Sequence, residues 1–325
     1  MEKGTFEFGK VIKAFREEKG WTQKQLCNGY SDTEFDIEFK GAICTQYQLS
    51  RIESGIQCPH WDTFVKLLQR LGKDPYKYYA EYSLTKQDKK YAIIKDELKY
   101  LLREKTDDAN SKAETLIREL EEESFFRKAL NKQFVLKTKA LLAFNRKDYK
   151  TTLDYATRGI KISKPNFHEE KIDSYALYYD EIMLINLIAI AQSFLSPSLT
   201  ISTNIWIKLK SCLDMGYVDE DEKSRTYVRI IYNLAKNLGI LKQYDECIAL
   251  CDEGITHFKK HLDVYHYPLF LINKGCSLLC VNKKEEGMTQ LKQAHAFLQA
   301  SDRLDELSKM EVQLQQNFGI TIQSY

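Results

Sequence analysis

Downstream of Tyr82 the chain keeps helical periodicity almost without interruption to its C-terminus, and glycine and proline are sparse over that whole length. A single helix pair cannot bury its own apolar face, so helices in such a series must stack on their neighbours. Three segments repeat by eye. Asp148-Tyr149-Lys150-Thr151-Thr152-Leu153 with Gly159-Ile160, Gln243-Tyr244-Asp245-Glu246-Cys247-Ile248 with Gly254-Ile255, and Lys283-Lys284-Glu285-Glu286-Gly287-Met288 with Ala294 each open the second helix of a pair. Twelve residues upstream of Thr152, Cys247 and Gly287 stand Ala140, Ala235 and Gly275, small residues suited to close helix crossings.

This pattern resembles a degenerate tetratricopeptide repeat with spacings stretched beyond the usual length. Residues 86–123 supply an earlier pair, 168–195 and 198–214 another with Pro197 at its turn, and a helix near 303–318 caps the end. The expected fold is all-α, with residues 83–325 forming a right-handed α-solenoid whose concave side is a peptide-sized groove. Asn233 and Asn273 occupy the same repeat position, Asn186 the analogous one in the preceding pair, and Asn237 lies one turn after Asn233. Asparagine offers a donor and an acceptor together, which suits the backbone amides of an extended peptide.

Residues 1–82 read differently, as short helices broken by glycine and proline. Residues 5–19 are amphipathic, with Phe8, Val11, Ile12 and Phe15 on one stripe and Lys10, Lys13, Arg16, Glu17 and Lys19 elsewhere; Gly20 ends the run. Thr22 caps a second helix over Gln23–Cys27. Thr45 caps a third that ends at Gly55, with Leu49 and Ile52 inward and Gln46, Tyr47, Gln48 and Arg51 on the remaining surface. Pro59 precedes a helix over Trp61–Leu71, closed by Gly72, and Asp74-Pro75 opens a last short helix through Tyr82. Between the second and third helices, residues 30–44 form an insert in which Asp32, Glu34, Asp36 and Glu38 alternate with Phe35, Ile37 and Phe39, the period of an extended excursion. Residues 1–80 carry a net charge of +1, and would carry +5 without those four acids.

Gly20-Trp21-Thr22-Gln23-Lys24-Gln25-Leu26, Thr45-Gln46 with Ser50-Arg51-Ile52-Glu53-Ser54-Gly55, and Pro59 with Asp62-Thr63-Phe64 through Leu71-Gly72 resemble the helix-turn-helix of phage-repressor-like (XRE-type) transcription factors. The resemblance implies that Gln23 positions a phosphate, that Gln46 is the first base reader, and that Tyr47 and Arg51 face the groove, with Thr45 and Gln48 beside them. The insert is not part of that pattern.

Other function classes find little support. The whole chain is +2, so no strongly basic surface points to nucleic acid or anionic lipid by charge alone. No apolar run reaches the roughly 18 residues of a membrane span and no export signal precedes the first helix, so a cytoplasmic protein with reduced cysteines is expected. The pairs Cys247/Cys251 and Cys276/Cys280 lack the turn-borne spacing of zinc sites and read as packing residues; His257, His261 and His266 read as a solvated helix end. No phosphate loop, nucleophile elbow or metal cluster is present in the sequence, so neither enzymatic activity nor a cofactor is expected.

An XRE-type head followed by degenerate repeats resembles the RRNPP group of peptide-pheromone regulators, its Rgg and PlcR-like branches above all. The resemblance implies a homodimer on double-stranded operator DNA, with an imported signalling peptide held by Asn186, Asn233, Asn237 and Asn273 and no membrane attachment. A peptide-independent XRE-type repressor, whose repeats bind a protein partner or only dimerise, requires the same head and remains the alternative.

Overall fold

In the computed structural model, the described residues are 5–28, 41–78, 86–122, 128–214, 220–261 and 264–322. They are helical, with no strand among them, and the chain divides into two compact units, Met1–Tyr100 and Leu101–Tyr325. The division falls within a helix, Lys86–Glu104. The alternating part of the insert, residues 30–40, lies outside the described residues, as does the end of the expected helix through Tyr82.

The first unit is built on α1 (Thr5–Glu18), α2 (Gln23–Cys27), α3 (Gln46–Glu53) and α4 (Trp61–Arg70), followed by a 3-10 turn at Pro75–Tyr78. Its core is Ile12, Leu26, Leu49, Ile52, Phe64, Leu67, Leu68 and Leu71, with Phe15, Trp21 and Trp61 against it. Helices α2 and α3 open with the same device. Thr22 accepts from the Gln25 amide and Thr45 from the Gln48 amide, and each glutamine side chain returns a bond to its cap's backbone. Gly20, Gly55 and Gly72 stop α1, α3 and α4 in the left-handed region, at φ of 68°, 73° and 73°.

Glycine has a further role inside α1. A Cβ on Gly9 would lie 1.9 Å from the Ile52 carbonyl oxygen, so the backbones of α1 and α3 touch there and only glycine fits. Arg16, expected on the polar side of α1, is 8 % exposed, because it reaches the carboxylate of Glu53 in α3 instead of solvent.

In the second unit, α5 (Lys86–Glu104, shared with the first) and α6 (Asp107–Glu122) precede the pairs α7 (Ala129–Asn145) and α8 (Tyr149–Ser163), α9 (Tyr179–Leu195) and α10 (Thr200–Asp214), α11 (Glu220–Ile240) and α12 (Tyr244–His261), and α13 (Tyr267–Cys280) and α14 (Lys284–Ala300). Helix α15 (Leu304–Phe318) closes the series. From α7 onward each helix packs on the next in sequence; α7, α9, α11 and α13 also pack on one another in that order and form a continuous inner wall.

The small residues set the crossings. In α13 and α14, a Cβ on Gly275 would come 3.0 Å from the Gly287 carbonyl oxygen, and one on Gly287 would come 2.9 Å from that of Gly275. Gly159 in α8 receives Leu184 of the next pair, and Gly254 in α12 receives Phe270 in the same way. The helices also stop alike. Lys147, Lys242, Asn282 and Asp302 adopt φ between 54° and 64°, and the following amide reaches back five residues, as from Asp148 to Ala143 and from Gln243 to Leu238. This is the Schellman turn, made here without glycine. Cys247 and Cys251 are fully buried among the packed helices, whereas Cys280 is exposed. His266, expected at a solvated end, is buried, with its ring centroid 4.9 Å from that of Tyr265 and 5.8 Å from that of Tyr232.

Candidate functional site

On the first unit, α3 presents a polar face. Gln46 and Tyr47 are exposed, Tyr47 by 70 %, and Arg51 is half-buried. The Arg51 guanidinium lies 5.7 Å from the Tyr47 ring centroid, and its Nη1 donates to the Tyr47 hydroxyl oxygen at 3.4 Å. The two side chains are thus mutually oriented one turn apart. Thr45 and Gln48 are exposed but occupied as the capping pair, Gln48 Oε1 accepting from the Thr45 amide at 2.9 Å. Gln46 is free of such duties and can carry a bidentate amide to a base edge.

Gln23 at the start of α2 is held from below: its Nε2 donates to Glu53 Oε2 at 2.8 Å. The same carboxylate accepts from Arg16 Nε at 2.6 Å and Nη2 at 2.8 Å, while Arg16 Nη1 donates to the Trp21 carbonyl at 2.8 Å. One buried ion pair therefore ties α1, the α1–α2 turn, α2 and α3 into a single knot. Glu53, first of all, together with neighbouring Glu17 raises the Arg16 pKa further. Arg70 of α4 adds a bond from Nη2 to the Gln25 carbonyl at 3.0 Å. Beneath α3, the Cys27 and Cys44 sulfurs lie 3.7 Å apart, and the Ile43 amide donates to the Cys27 carbonyl at 2.8 Å.

The inner wall of the second unit borders two cavities, of about 670 and 380 Å³. The asparagine row divides between them. Asn273 in α13 lines the larger, and its Nδ2 is buried without a hydrogen-bond partner. Asn233 and Asn237 in α11 line the smaller, alongside Tyr149 and Phe194, whose rings stack at 4.0 Å between centroids. Asn186 borders neither cavity: it is 1 % exposed, and its Oδ1 accepts from Trp206 Nε1 at 2.8 Å and from Asn233 Nδ2 at 3.2 Å. Asn237 is buried too, its Nδ2 donating to Ser202 Oγ at 2.9 Å and Thr203 Oγ1 at 3.1 Å. Asn233 and Asn273 are thus presented, while Asn186 and Asn237 brace α9, α10 and α11.

Residues that local sequence reading did not supply complete the wall. Lys236 and Ile240 of α11 line both cavities; Lys309, Gln313 and Asn317 of α15 line the larger, and Lys105 and Lys147 the smaller. In the larger cavity Cys247 accepts from the Ser277 hydroxyl at 3.2 Å. A hydrogen bond between the free thiols of Cys251 and Cys247 lowers the Cys247 pKa to about 7 and raises that of Cys251. No helix among the described residues is long and apolar enough to cross a membrane, and no cluster of metal-ligating residues occurs among them.

A helix-turn-helix module and a series of tetratricopeptide-like pairs define an all-α class of fold. The chain shares it over nearly its whole length with PlcR of Bacillus thuringiensis, solved in complex with the peptide PapR7 and DNA, at 19 % identity, 95 % coverage of this chain and 99 % of that one, and a TM-score of 0.68. ComR of S. thermophilus, in complex with DNA and its signalling peptide ComS, matches at 16 % identity, 94 % and 97 % coverage and a TM-score of 0.57. The SHP pheromone receptor Rgg2 of Streptococcus dysgalactiae matches at 13 % identity, 95 % and 99 % coverage and a TM-score of 0.59. The fold is therefore that of the RRNPP-type regulators. No family model and no curated protein matches the sequence.

Proposed function

We propose that this chain is a cytoplasmic transcription regulator that binds operator DNA as a homodimer and is controlled by a short imported signalling peptide. The observation that carries the reading is the pairing of an α3 with free Gln46 and oriented Tyr47 and Arg51 with a separate amide-lined groove in the repeats. Residues 1–82 form the reading domain in this assignment, and residues 83–325 the sensing and dimerising domain. Gln46, Tyr47 and Arg51 read bases, Gln23 holds a phosphate, and Thr45 and Gln48 fix the start of the reading helix. Asn233 and Asn273 contact the peptide backbone, while Asn186 holds Asn233 and Asn237 ties α11 to α10.

Residues 1–82 hold as many acidic as basic side chains, so one head binds a half-site weakly, and two heads about one helical turn apart supply the affinity. A peptide that favours one arrangement of the repeats over another then shifts the population of DNA-competent dimers. Selection of binding sites from a random duplex pool tests this directly. The expected product is a two-fold symmetric site with half-sites about 10 base pairs apart. Gln46→Ala is expected to lose roughly 1 to 3 kcal/mol and relax one position of each half-site, whereas Gln23→Ala weakens all sequences alike. Equal losses for Gln46→Ala on selected and scrambled duplexes would remove Gln46 from the reading role.

A further inference from the structure

The charges around the groove are one-sided. Lys236 lines both cavities, with Lys309 in the larger and Lys105 and Lys147 in the smaller, and no ion pair occupies any of the four among the described residues. The acid lining these cavities among the described residues is Glu306, and it is already neutralised. Arg303 Nε donates to one of its oxygens at 2.6 Å and Nη2 to the other at 2.9 Å, a fork that consumes the carboxylate. Lys309 and Lys105 both act on Glu306 through space, so cations from the last helix and from the end of α5 converge on one region. In the larger cavity Asn273 holds a buried amide donor with nothing to receive it. Cationic side chains gathered in a partly enclosed groove, beside an unanswered donor, call for ligand oxygens that carry negative charge.

We propose that the groove selects an anionic peptide, one carrying acidic side chains whose carboxylates are received at Lys236, where the two cavities meet, and by the flanking lysines. The Asn273 amide donates to an oxygen of the same ligand. A peptide suits the site better than a nucleotide strand because Asn233 and Asn273 offer amides at successive positions of the inner wall, matched to a backbone of alternating donors and acceptors. This inference rests on the peptide-receptor reading and adds the chemistry of the ligand to it.

The test uses the full chain and fluorescein-labelled pools of peptides about seven residues long, the scale of an extended ligand in a groove of this kind. The pools are alike except that two fixed positions are both aspartate, both asparagine or both lysine; a pentathymidine strand forms a fourth arm. Anisotropy titrations are expected to rank aspartate above asparagine above lysine, with the aspartate advantage shrinking as salt rises. Lys236→Glu, at an exposed position that leaves the fold intact by circular dichroism, is expected to weaken the aspartate pool by about tenfold or more and to improve the lysine pool. Lys236→Gln should fall between. Equal binding of the aspartate and asparagine pools by both the wild type and Lys236→Glu would overturn the charge selection while leaving a peptide receptor standing. Preference for the oligonucleotide over every pool would overturn the peptide assignment, and binding of nothing in any arm would overturn the receptor reading together with this inference.

Discussion

Replacing Glu53 with alanine removes the acceptor of three hydrogen bonds at once, two from Arg16 and one from Gln23. The guanidinium stays behind, 8 % exposed, with the Trp21 carbonyl at 2.8 Å and the exposed Glu17 carboxylate at 3.5 Å as its remaining partners. Breaking one side of a buried pair costs about 3 to 5 kcal/mol, and those remaining contacts place this case toward the lower end. A module of this size has on the order of 5 to 10 kcal/mol in total, so the head should lose a third or more of its stability. Two of the three tryptophans, Trp21 and Trp61, lie in the head, and urea titration followed by their emission reports on it, with Trp206 as the reporter in the repeats. The control is the double variant Arg16→Met with Glu53→Leu, which removes the stranded charge and should recover most of the loss. A double variant no more stable than Glu53→Ala, or a loss below about 1 kcal/mol for the single, would show that the stranded guanidinium is not the cause.

Gly9→Ala sets helix propensity against sterics. Alanine is favoured by about 1 kcal/mol in an open helix, yet here its Cβ meets the Ile52 carbonyl oxygen at 1.9 Å, so the head should lose about 3 kcal/mol or more. A higher urea midpoint for the variant would refute the backbone contact. Lys242→Gly relieves a left-handed lysine at φ 64° and should raise the melting temperature of the repeats, by a net gain of about 0.5 to 1 kcal/mol after the entropy of glycine is counted. Arg303, above all by hydrogen bonding, holds Glu306 below the usual carboxylate range, so its contribution is present at neutral pH and is lost as pH falls through that lowered value. The gap in melting temperature between wild type and Glu306→Gln should therefore be widest near pH 7, begin to narrow as pH falls past the ordinary glutamate value of about 4.3, and close only below the lowered folded-state value.

The head was largely legible in the sequence because its signals are local. Thr22 with Gln25, Thr45 with Gln48, and the three glycine stops each act within four residues, and the inward positions of α3 and α4 follow the helical period. What escaped was non-local. Arg16 and Glu53 are 37 residues apart, and charge alone places both at the surface until the fold brings them together. Gly9 carries no local signal of its role, since only the position of Ile52 shows why it is there. In the repeats, the small residues Ala140, Ala235 and Gly275 marked the pairs despite the degenerate consensus. The asparagines fell at the expected register, but periodicity cannot tell an amide that faces a groove from one such as Asn186, bonded to Trp206 twenty residues away.

The stops at Lys147, Lys242, Asn282 and Asp302 are made by backbone bonds and a backbone angle, and the side chain at each takes little part. Helix length in each pair is consequently fixed by main-chain geometry, with a few small residues setting the distance between helices. A chain built in this way can exchange most of its surface and much of its consensus without losing the spacing that shapes its groove. Divergence of the letters is then uncoupled from divergence of the form. Such a construction is compatible with the likeness of fold, nearly from end to end, to proteins only 13 to 19 % identical to this one, and it leaves the groove lining free to vary on one frame.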